Sequence, residues 1–176
     1  IVFSDLHFYE HPLFAGIGDE ENIFIKIAKN CLSQIFNYAL KNKYKIIIHA
    51  GDLYHTGSKL PVHLITELQD IFSEWADSHI STYLIRGNIQ HDNEGKDYVG
   101  KLFRHADEQI LPVSSYAELS DEADQLLLVS YMPRQKIVEL INTQKWHEGV
   151  RRILIPHKGL YGAKLNEDYE MFEEDS

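Results

Sequence analysis

The sequence predicts an α/β fold with a largely parallel sheet. Three observations carry that reading. Short β-branched runs, of which Ile46-Ile47-Ile48 is the clearest, alternate with longer segments whose apolar residues recur every three or four positions. The run at 46–48 has no polar break and gives way to Gly51-Asp52, as a strand buried on both faces does. Four predicted strands end in a side chain that can ligate a metal, and α/β sheets gather ligands at those strand ends.

Taken in order, residues 1–4 form a strand that is already under way at Ile1 and ends in Ser4-Asp5-Leu6-His7. Residues 8–18 form a loop with Pro12, Gly16 and Gly18. Asp19 is expected to cap a helix, with Glu20 and Glu21 in its first turn. Ile23, Ile27, Cys31, Ile35 and Tyr38 form the stripe expected to face the core, and Lys41, Lys43 and Lys45 bracket the helix end. After Gly51-Asp52, Thr56-Gly57-Ser58 is a loop and Pro61 suits a first helical turn. The stripe of that second helix is Leu64, Leu68, Ile71, Phe72 and Trp75. Residues 81–85 are the third strand, ending in Arg86-Gly87-Asn88, followed by a polar loop at 89–95 and a short helix at 98–103. Strands are expected at 109–113 and 125–131, a helix from Pro133 to about residue 146, and a strand at 152–156 ending in His157. The acidic stretch 167–176 fits no regular element.

A chain of 176 residues with 44% hydrophobic and 25% charged residues suits one globular domain, and no apolar run approaches bilayer-spanning length. The formal charge of -10 argues against nucleic-acid binding through bulk positive charge, although bound cations let an acidic body hold phosphates. Cys31, the one cysteine, cannot form an internal disulfide; a buried thiol and a reducing, cytoplasmic setting are expected.

The strand ends offer Asp5 and His7, then Asp52, Asn88 and His157. Oxygen donors mixed with imidazole nitrogen suit Mn²⁺, Zn²⁺ or Fe better than an all-oxygen Ca²⁺ site. On an extended chain the Asp-x-His spacing puts Asp5 and His7 on one face.

This ordered set, Asp5-Leu6-His7, Gly51-Asp52, Gly87-Asn88 and His157, resembles the calcineurin-like metallophosphoesterase superfamily. The likeness covers nearly the whole chain up to His157. The segments Gly51-Asp52-Leu53-Tyr54-His55-Thr56-Gly57-Ser58, Tyr131-Met132-Pro133-Arg134, His157-Lys158-Gly159 and Gly162-Ala163 look most like SbcD-type DNA nucleases, phage versions included. The resemblance implies a layered sheet sandwich with flanking helices, formed by residues 1–176 as one domain that continues past both ends. It implies two divalent ions, Mn²⁺ foremost: Asp5 and His7 on the first, Asp52 bridging, Asn88 and His157 on the second. It also implies hydrolysis of DNA phosphodiesters in repair or recombination, an SbcC-type ATPase partner, a homodimer and no membrane. Two departures stand out. Where the family has Gly-Asn-His-Asp/Glu, this chain reads Gly87-Asn88-Ile89-Gln90-His91-Asp92. Either the loop bulges, so that His91 acts as the catalytic acid oriented by Asp92, or the acid is lost. The family's final Gly-His-x-His, which adds two ligands, is not among these residues. Two alternatives stay open: a phosphodiesterase or phosphatase on a small molecule or protein, and an inactive scaffold subunit.

Among the remaining polar residues, His49 is expected to face the core, and His55 to contact substrate, support the site from behind, or simply sit in a loop. His11, His63, His79, His105 and His147 read as surface or helix-face residues; Arg151, Arg152, Lys158 and Lys164 could approach phosphates near the site, although a solvated face is the commoner reading of such charges.

Overall fold

Four strands, β1 (Val2–Phe3), β2 (Ile46–His49), β3 (Ser81–Ile85) and β4 (Ile110–Val113), pair in that order, and every pairing is parallel. The structure is a computed structural model that describes residues 1–12, 22–57, 59–104 and 106–158, without the side chain of residue 96. The expectations for residues 13–18, the Asp19 cap, Ser58, His105, Gly159, Gly162, Ala163, Lys164 and residues 167–176 fall outside the described residues. Pro112 sits in β4, an edge strand of its sheet, where a missing N–H is tolerated.

A second sheet contains β5 (Tyr116–Ser120), β6 (Asp124–Val129) and β7 (Arg151–Pro156). β5 and β6 form an antiparallel hairpin, whereas β6 and β7 run parallel. Asp121 closes the hairpin turn, its Oδ1 accepting the N–H groups of Ala123 and Asp124 at 2.8 Å each. The sequence reading did not anticipate β5. Only Ala117 and Leu119 of that strand turn inward, too few to announce it.

The period of two along each strand builds the layers. Ile47 joins the core beneath the helices, while its neighbour Ile48 packs between the sheets with Ile85, Val113 and Leu128. On β6, Leu126 and Leu128 face the first sheet, and Leu127 and Val129 meet Ile137 of α4 (Arg134–Thr143). Helices α1 (Ile23–Asn42) and α2 (Val62–Asp77) cover the outer face of the first sheet. Phe36 of α1 stacks on Trp75 of α2 at 6.0 Å between ring centroids. The order is therefore helices, sheet, sheet, helix, the layered α/β sandwich with flanking helices that was expected. No described helix is long and apolar enough to cross a membrane.

The expected face of α1 is corrected. Ile25, Ala28, Leu32, Phe36 and Ala39 face the core, whereas Ile23, Ile27, Cys31 and Tyr38 are exposed and Ile35 is half-buried. The thiol of Cys31 is thus exposed, not buried. Asn22 caps the helix, its side chain accepting from the N–H of Phe24 at 3.0 Å. Pro61 precedes α2 as its cap residue instead of lying in its first turn.

Candidate metal centre

Beyond the carboxyl ends of β1 and β2 the chain continues as two loops laid side by side. Asp5 donates its N–H to the carbonyl of Gly51, His7 to that of Asp52 and Phe8 to that of Leu53, at 3.0, 3.1 and 2.9 Å. Asp5, His7 and Asp52 all have positive φ, at 56, 44 and 57°. That left-handed conformation costs a non-glycine residue about 1–2 kcal/mol. The other described non-glycine cases, Lys43, His79 and Asn93, lie at or just beyond helix ends, where such a residue commonly stops a helix. The three here stop no helix; their backbone turns both carboxylates and His7 toward one point.

That point is Asp52, buried with 4% of its surface exposed. Its Oδ1 accepts the N–H of Asn88 at 2.9 Å, and its Oδ2 accepts the side-chain amide of Asn88 at 3.0 Å. His157 Nε2 lies 3.3 Å from Oδ1, and the Nε2 atoms of His7 and His91 each lie 3.9 Å from Oδ2. Asp5 Oδ1 is 3.9 Å from His7 Nε2, and Ser4 Oγ donates to Asp5 Oδ2. One donor atom each from Asp5, His7 and Asp52 falls within 4.8 Å of the others. All five residues proposed from the sequence as metal ligands are thus brought to one place.

Two glycines make the approach possible. A Cβ on Gly51, whose φ is 110°, would stand 2.2 Å from His157 Nδ1. A Cβ on Gly87 would stand 2.0 Å from Asp52 Oδ1. A side chain at Gly51 would displace His157, and one at Gly87 would displace Asp52.

The site has the features of a cation's seat. His157 Nδ1 is 2.7 Å from the carbonyl of Ala50, which fixes the proton on Nδ1 and leaves the Nε2 lone pair opposite Asp52 Oδ1. Two lone pairs at 3.3 Å repel unless a proton or a cation lies between them. Asn88 Oδ1 is buried and has no hydrogen-bond partner, nor has His7 Nδ1. The imidazole of His7 is held below its usual pKa, by burial first and then by neighbouring His91, so it stays neutral as a ligand must. A mixed carboxylate, amide and imidazole set of this kind fits Mn²⁺, Fe or Zn²⁺.

The altered third motif takes a definite form. Residues 89–92, expected as part of a loop, make one helical turn, α3 (Ile89–Asp92). Ile89 points outward and is 46% exposed. The turn carries His91 back to Asp52, with its ring 4.5 Å from that of His7. Asp92 does not orient His91, which corrects that part of the reading. Its carboxylate accepts the N–H groups of Asp52 and Leu53 at 3.0 Å each and of Gly87 at 2.7 Å, and so ties the second and third motifs together. The carbonyl of His55 holds His91 instead, through Nδ1. The sequence left His55 open; its ring stacks on Tyr9 at 4.1 Å and sits 5.7 Å from His7 and 5.6 Å from His91.

The other polar residues resolve simply. His49 is fully buried against Phe3, with neither ring nitrogen hydrogen-bonded, and burial pushes its pKa down to about 3. Arg151 is committed to Asp124 through two bonds of 2.7 and 2.8 Å. Arg152 and Lys158 lie over the rings of Trp146 and Tyr131.

No curated protein sequence matches the chain. Among solved structures, the Pseudomonas putida nuclease MPE is similar at 13% identity and a TM-score of 0.43, over 87% of this chain. The chain spans 58% of that protein's length. The family model described as calcineurin-like phosphoesterase matches residues 1–175, and the chain belongs to that family.

Proposed function

We propose that this chain is a metal-dependent DNA nuclease of the SbcD type, hydrolysing phosphodiesters in repair or recombination together with an SbcC-type ATPase. Phosphoester hydrolysis with divalent metals is the family's chemistry; DNA as substrate rests on the resemblance of residues 51–58 and 131–134. The observation that carries the catalytic part is the convergence on Asp52, where His157 Nε2 faces Oδ1 at 3.3 Å and Asn88 Oδ1 waits without a partner.

Asp5 and His7 would hold one ion, Asn88 and His157 a second, and Asp52 would touch both. Bound cations supply positive charge for a phosphate ester and lower the pKa of water. The chain's own residues do the rest. Asp92 fixes the backbone of Asp52 and Gly87, so the donors are positioned before substrate arrives. His91, in its imidazolium form, hands the Nε2 proton to the leaving sugar oxygen while Nδ1–H stays on the carbonyl of His55.

The test is Asp52→Asn assayed on linear duplex DNA with Mn²⁺. Hydrolysis should disappear while the thermal melt in chelator stays near that of the parent. A variant that cuts as well as the parent would remove Asp52 from the mechanism. Parental turnover of a nitrophenyl phosphodiester without DNA cleavage would favour the small-molecule alternative, and no turnover of either would favour the scaffold.

A further inference from the structure

We propose that His7, His55 and His91 form a second, all-nitrogen metal site that overlaps the Asp52 centre and takes Zn²⁺ as an inhibitory ion. The inference rests on the reading of Asp52 as the hydrolytic centre, because it concerns control of that centre.

One ring nitrogen from each of the three histidines lies within 4.8 Å of the others. Two nitrogens on a tetrahedral ion with bonds near 2.0–2.1 Å stand roughly 3.3 Å apart, so modest side-chain movement closes the set. The rings are already placed for it. His55 is exposed to incoming ions and held by its stack on Tyr9, with ring centroids 4.1 Å apart and planes 20° from parallel. Through Nδ1, His91 meets the carbonyl of His55, which leaves Nε2 free as a ligand atom. The ring of His7 stands nearly perpendicular to that of His91, at 82°.

Chemistry separates this group from its neighbour. Asp5, His7 and Asp52 bring two carboxylates and one imidazole, a set that suits Mn²⁺. His7, His55 and His91 bring three imidazoles and no carboxylate, a set that favours Zn²⁺. His7 belongs to both groups, so the two ions compete for it. Zinc on the three histidines also occupies Nε2 of His91 and leaves no proton there for a leaving group.

The experiment measures metal binding directly, in the full chain. Zn²⁺ affinity is read by competition with a chromophoric chelator and Mn²⁺ affinity by electron paramagnetic resonance. His55→Phe keeps a ring on Tyr9 but removes the ligand nitrogens; His55→Ala is the second variant, and the exposed position makes both safe for folding. Both should weaken Zn²⁺ by at least the roughly 10–100-fold that loss of an outer-shell partner costs, with Mn²⁺ affinity unchanged. Asp52→Asn should do the reverse, and His7→Ala should weaken both ions. Co²⁺ absorption should follow Zn²⁺ through the series. If Asp52→Asn abolishes Zn²⁺ binding while the His55 variants leave it intact, zinc sits only at the Asp52 centre and the proposal fails. A parent that hydrolyses no phosphoester with Mn²⁺ but shows this pattern of affinities would overturn the functional reading and leave the zinc site standing.

Discussion

Asp92 is fully buried, and the three hydrogen bonds drawn to its carboxylate all come from backbone N–H groups. Burial pushes its pKa up to about 6, the charge of Asp52 adds to this, and the N–H bonds oppose it. The unfolded chain titrates this group near 3.8. A folded pKa above the unfolded one gives stability that is complete below the unfolded value and is lost as pH rises through the folded one. From pH 7 down to pH 4, Asp92 should therefore add on the order of 2–3 kcal/mol to folding. Denaturant melts of the parent and Asp92→Asn, both in chelator, should show the difference moving toward the parent by that amount and staying flat above pH 7. A difference that is constant across pH 4–8 would contradict the burial argument. His91 gives a kinetic counterpart. A positioned acid contributes about 10²–10⁴-fold, so His91→Ala should lower kcat on DNA by that order. A nitrophenyl phosphodiester, whose leaving group needs little protonation, should suffer much less. An equal loss on both substrates would remove His91 from proton transfer.

The element that misled the sequence reading is α1. Apolar residues cover more than half of this helix's circumference, and two stripes satisfy a spacing of three and four. The buried stripe contains Ala28 and Ala39, small residues that let the helix lie close to the sheet; the outward stripe, with Ile23, Ile27 and Tyr38, is about as apolar. Composition thus did not choose between the two faces. Leu32→Ala should cost about 2–5 kcal/mol, as a fully buried leucine does. Ile27→Ala, at a side 57% exposed, should stay within about 0.5 kcal/mol. Matched denaturant melts decide this, and a larger loss at Ile27 than at Leu32 would reverse the assignment. The second helix was easier, because Leu64, Leu68, Phe72 and Trp75 form one strong stripe without a rival. The turn of α3 was legible only as room for two extra residues. Nothing in Ile89-Gln90-His91-Asp92 alone says that Asp92 will serve the backbone of another motif.

At the scale of the molecule, the strand ends carried most of the information. The parallel strands β1, β2 and β3 end on one edge and bring Asp5, His7, Asp52 and Asn88 together wherever the helices lie, and β7 of the second sheet adds His157, so the cluster of candidate ligands survived the error in α1. The two-sheet sandwich was implied by the family resemblance but not by the residue pattern, since the division depends on the β5–β6 hairpin and on which face of β6 meets Ile48 and Ile85. His55 was readable only as a histidine near the Gly-Asp motif; its place beside His7 and His91 follows from the two loops running side by side. The central claim is that Asp52 is the shared carboxylate of a two-cation centre. Anomalous diffraction from crystals soaked in Mn²⁺ tests it most directly. Two peaks should flank Asp52 at roughly 3.5–4 Å from each other, one against Asp5 and His7, the other against Asn88 and His157. Peaks that leave Asp52 without a metal bond would contradict the claim.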